Sequence, residues 1–62
     1  MLKNRGKGSM NETILLIEDN ESIIMGLEYL LTEEQYTFLA AKTKKEAQDL
    51  LASRQVDLVL LL

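Results

Sequence analysis

Ile14-Leu15-Leu16-Ile17-Glu18-Asp19-Asn20-Glu21 decides the fold. Four aliphatic residues in a row, β-branched at both ends, read as a strand buried on both faces, the pattern of parallel rather than antiparallel sheets. The polar cluster that follows reads as the start of a helix. Asn20 is a suitable N-cap, and Glu21 lies where the helix dipole favours an acid. Ile23, Ile24, Leu27, Leu30 and Leu31 then recur at helical spacing, one apolar stripe on an amphipathic helix. Gly26 interrupts it at a cost of about 1 kcal/mol relative to alanine. Either a neighbouring backbone comes close there or the helix tolerates the loss.

Outward from this stretch the same alternation repeats. Thr32-Glu33-Glu34-Gln35 breaks the helical period, and Tyr36-Thr37-Phe38-Leu39-Ala40 alternates with aromatic and β-branched content, a second and more exposed strand. Thr43-Lys44-Lys45-Glu46 has the spacing of a capping box, in which Thr43 and Glu46 each satisfy a free backbone N–H. Ala47, Leu50 and Leu51 supply the buried face of the helix it opens, and Val56-Asp57-Leu58-Val59-Leu60-Leu61-Leu62 is a third apolar strand. The predicted order is strand 12–17, helix 21–32, strand 36–41, helix 43–53 and strand 57–62. Strands alternating with helices of this length imply right-handed βαβ crossovers, hence an α/β fold with a three-stranded parallel sheet.

Composition narrows the function classes. The 62 residues are 47% hydrophobic and 27% charged, an ordinary globular balance, with neither Cys nor His. Disulfides and the commonest soft metal sites are thereby excluded, leaving carboxylates as the side-chain metal ligands to consider. A chain this short buries only about 60% of its unfolded surface and is marginal without a partner. Residues 1–10 read as a flexible leader, either tag-derived, as its Gly8-Ser9-Met10 junction suggests, or a natural basic arm, and 11–62 as the folded segment. The leader carries Lys3, Arg5 and Lys7 and no acid, so the net charge of −3 becomes −6 for the rest. That acidic body argues against nucleic acid as a partner. The longest apolar run, Leu58 to Leu62, is far short of the roughly 18 residues that cross a bilayer. A cytoplasmic setting is expected.

Ligands of open α/β sheets bind beyond the carboxyl ends of the strands, where this chain places Glu18, Asp19, Ala41 and Lys42. No glycine-rich phosphate loop is present, and adjacent carboxylates repel an unaccompanied phosphate. They suit a hard dication such as Mg²⁺, or they simply open the helix. Adjacent acids cannot flank a substrate bond at the several-ångström separation that catalytic pairs need. No enzymatic activity is expected of the chain itself.

Taken together, ILLIEDNESI, the Tyr-x-Phe strand, Thr-Lys-Lys-Glu-Ala-x-x-Leu-Leu and VDLVLLL resemble the N-terminal half of the receiver domain of two-component response regulators, from about Glu12 to Leu62. The resemblance implies a flavodoxin-like doubly wound fold with strand order 2-1-3-4-5. It also implies an aspartate after the third strand that accepts a phosphoryl group from a sensor histidine kinase. Asp19 would be the direct Mg²⁺ ligand and Glu18 a water-mediated one. In this register the acceptor position falls on Leu62, 43 positions after Asp19. A one-residue difference in the loop before the second helix would move it just beyond. Either way this chain lacks the acceptor Asp, and phosphorylation of it is not expected. The resemblance makes it the front half of a domain, cut where the third strand hands over. A strand left apolar and unpaired recruits another chain, so the fragment is expected to self-associate into an oligomer or else to fold only in part; self-association is expected also for the alternative reading, a small βαβαβ interaction module without phosphotransfer chemistry.

Overall fold

A computed structural model describes residues 12–62. The expected leader lies outside the described residues. Five elements follow in the expected order: β1 (Thr13–Ile17), α1 (Glu21–Glu33), β2 (Thr37–Ala41), α2 (Lys44–Ser53) and β3 (Leu58–Leu61). The strands form one parallel sheet in the order β2-β1-β3. This is the βαβαβ arrangement anticipated from the alternation of strand and helix patterns. Among the described residues no helix is long and apolar enough to cross a membrane.

Register assigns every strand residue to a face. Leu15 pairs with Leu39 and Val59, and Ile17 with Ala41 and Leu61, so these side chains share one face. There Leu15, Ala41 and Ala47 form a buried cluster, with Ile17, Leu39, Leu50 and Val56 packed against it. α2 covers this face. Right-handed crossovers that run out to β2 and back past β1 put α1 on the other, over Ile14, Leu16, Phe38 and Ala40. Its one buried residue is Ile24. Ile14, Leu15 and Leu16 are almost completely hidden, because β1 alone is flanked by strands on both sides.

Coverage is narrower than the apolar pattern implies. Of the α1 stripe, Ile24 is buried and Leu27 and Leu31 are half-buried, but Ile23 is 39% and Leu30 58% exposed. Leu51, expected on the buried face of α2, is 46% exposed. The cause is lateral placement. α1 packs on β2, α2 packs on β2 and β1, and neither makes comparable contact with β3. Part of each apolar stripe therefore stays uncovered among the described residues. β3 is likewise an edge, with Leu58 and Val59 each 42% and Leu61 74% exposed.

No element end differs from expectation by more than one residue, and the start of β2 moves for a local reason. Tyr36 does not open β2. Its N–H bonds to the Leu31 carbonyl and that of Gln35 to Thr32, closing α1 in a Schellman turn with Gln35 at φ 70°. Glycine suits that left-handed position best, so Gln35→Gly is expected to raise stability by about 0.5–1 kcal/mol in urea unfolding. At the other doubtful position, a Cβ added to Gly26 meets nothing within 4 Å, so no close approach explains the glycine. Gly26→Ala is expected to stabilise by about 1 kcal/mol in the same measurement.

Candidate functional site at the strand ends

β3 is anchored at its start. Asp57 donates its N–H to the Thr13 carbonyl at 2.8 Å, and its carboxylate accepts the Thr13 N–H at 2.7 Å. This reciprocal clamp locks β3 to β1 in register. Leu61 then pairs with Ile17, as Ala41 does on the other side. Glu18, Lys42 and Leu62, the residues next in sequence, therefore stand level at one end of the sheet.

The acidic pair divides by role. Glu18 is half-buried, its N–H bonds to the Ala41 carbonyl at 3.0 Å, and its Oε2 accepts the Asn20 N–H at 3.0 Å. Asp19 is exposed. Asn20 caps α1 as expected: its Oδ1 accepts from Ser22 and Ile23 at 2.9 and 3.2 Å. Thr43 likewise accepts the Glu46 N–H at 3.1 Å, but the capping box is not reciprocal. Glu46 instead takes the N–H of Lys42 at 2.7 Å, one residue before the cap, which fastens the β2–α2 loop.

An ion pair between Lys42 and Glu21 crosses the site and was not legible in the sequence, since 21 positions separate the two. Only the level register of β1 and β2 brings their loops together. Lys42 is thereby held above its ordinary 10.5, first by the hydrogen bond and charge of Glu21, then by the nearby charges of Glu46 and Asp19. A raised lysine pKa means that the pair contributes fully below pH 10.5 and is lost as pH rises through the higher folded-state value. Glu21→Gln is expected to move the Lys42 pKa back down, read by NMR titration of its side chain.

A hard dication fits this site only in part. Carboxylates are the right donors, and Mg²⁺ accepts one or two of them with waters completing its octahedron. Among the described residues, however, no three His, Cys, Asp or Glu side chains come together as a metal-binding group. The Lys42 ammonium also already neutralises part of the local negative charge. No family model, curated protein or solved structure matches the chain. Among the described residues this end of the sheet carries a half-buried Glu18, an accessible Asp19, a cation at Lys42 and an aliphatic side chain at Leu62.

Proposed function

We propose that residues 11–62 are the N-terminal part of a phosphorelay receiver domain, a signalling module rather than an enzyme, working in the cytoplasm with a sensor histidine kinase as partner of the whole protein. The observation that supports this most is the placement of Glu18 and Asp19 at the carboxyl end of β1, the central strand of a parallel 2-1-3 sheet. A receiver uses that position to hold Mg²⁺. When bound, the ion would neutralise charge on phosphoryl oxygens during transfer. Asp19, being exposed, would ligate directly. Glu18, tied to the Asn20 N–H, would act through water.

Leu62 stands level with Glu18 at the position where this reading puts the acceptor aspartate, or one residue before it. An aliphatic side chain offers no oxygen to phosphorylate, so the 62 residues by themselves take no phosphoryl group. Sequencing the coding DNA beyond codon 62 tests the reading. A continuing frame that supplies an acceptor Asp directly, then a Ser or Thr after a fourth strand and a Lys after a fifth, supports it. A stop codon there, or a continuation without those elements, overturns it.

A further inference from the structure

We propose that the Lys42 side chain is a resident counter-cation of the strand-end carboxylates and opposes the binding of a divalent metal ion beside Asp19. The inference rests on the reading of Glu18 and Asp19 as the metal-holding pair, and it adds to that pair a residue that sets how tightly the ion is held.

Lys42 is the first residue after β2 and reaches the site through strand register. Ala41 pairs with Ile17, so the loops that follow β2 and β1 leave the sheet side by side. The Lys42 backbone is fixed from its own loop, where its N–H bonds to Glu46 Oε1 at 2.7 Å. Its ammonium is engaged from the other loop by the carboxylate of Glu21, in the first turn of α1. Lys42 thus ties the two loops together, and the charges of Asp19 and Glu46 act on the same ammonium. Lys44 and Lys45, close by in sequence, enter no ion pair among the described residues. Position, not basic composition, sets Lys42 apart.

An ammonium and Mg²⁺ are drawn by the same carboxylates, with different consequences. Mg²⁺ is held by one or two carboxylates with waters completing its shell, and its affinity grows with the net negative charge around them. Lys42 reduces that charge and adds a cation that repels the incoming one. At low ionic strength a unit charge near a dication changes its affinity by about three- to tenfold. The Lys42 and Glu21 side chains are 51% and 63% exposed, so solvent screens the pair and leaves the ammonium free to swing outward. Lys42 therefore weakens metal binding without abolishing it.

Titrating the 62-residue chain with Mg²⁺ at low ionic strength, followed through the backbone amide signals of residues 18–21 by NMR, tests this. Each variant is checked for retained fold by circular dichroism. Lys42→Met is expected to tighten binding by about threefold or more over the parent chain. Lys42→Arg, which keeps the charge, is expected to leave it unchanged. Lys45→Met removes the same charge without breaking an ion pair and is expected to tighten binding less than Lys42→Met does. High salt is expected to shrink the difference between Lys42→Met and the parent. A Lys42→Met chain that binds Mg²⁺ no more tightly than the parent, including the case in which neither binds, overturns the proposal. Equal tightening by Lys42→Arg or by Lys45→Met, or a response centred away from Glu18 and Asp19, overturns it too. The receiver reading stands or falls separately, on the coding sequence beyond codon 62.

Discussion

Leu15→Ala is expected to leave the chain largely unfolded at 25 °C. Leu15 lies on the central strand, is fully hidden, and is the largest member of the cluster it forms with Ala41 and Ala47. Truncating such a leucine costs about 2–5 kcal/mol, through lost transfer free energy and the cavity left behind. The neighbours cannot collapse into that space readily. Two of them are alanines, with no side-chain length to extend, and the strand backbone is held by ladders on both sides. A fold of this size has roughly 3–9 kcal/mol to lose, so the substitution consumes most of it. Urea unfolding followed by circular dichroism is the measurement, at one protein concentration so that any association contributes equally. A cooperative transition shifted by less than the equivalent of about 1 kcal/mol would contradict the assignment of Leu15 as the centre of the core.

Ala47→Asp is expected to be comparably damaging for a different reason. Ala47 is 3% exposed on the face of α2 that presses on Leu15 and Ala41, so a carboxylate there enters an apolar contact without a partner. Aspartate is too short to carry its charge out to water, as lysine can by extending along the surface. An unpaired buried charge costs several kcal/mol, or is relieved by protonation at the same order of cost. The neighbouring exposed position supplies the control. Gln48→Asp on the solvent side of the same helix is expected to change stability by no more than about 0.5 kcal/mol. If both substitutions were equally mild in thermal melts, α2 could not be seated on the sheet through Ala47.

These two expectations also separate what pattern reveals from what packing reveals. The small residues at 41 and 47 give almost no signal in a hydrophobicity count, yet they form the point of closest approach between α2 and the sheet. Leu30 and Leu51 give strong signals and remain more than two-fifths exposed. Periodicity reports which residues are apolar on a common face. It does not report how far across the sheet that face extends.

The candidate site shows the same division. Glu18 and Asp19 were legible because an acidic pair directly after a buried strand is a local pattern, and so were the caps Asn20 and Thr43. The Lys42–Glu21 pair, the transfer of Glu46 from the cap to Lys42, and the Asp57–Thr13 clamp were not. Two of these contacts join residues 21 and 44 positions apart. They exist only because parallel pairing sets the ends of β1, β2 and β3 level.

By itself, then, the sequence determined the order and kind of the elements, through strand runs, helical spacing and capping residues, all of which act within a few positions of the chain. It also determined the chemistry available: carboxylates without thiols or imidazoles, and a leucine at position 62. The tertiary structure decided which apolar residues are covered and which charges meet. Those outcomes depend on strand register and on the sideways placement of two helices over β2 and β1, and neither quantity is written in any short stretch of residues.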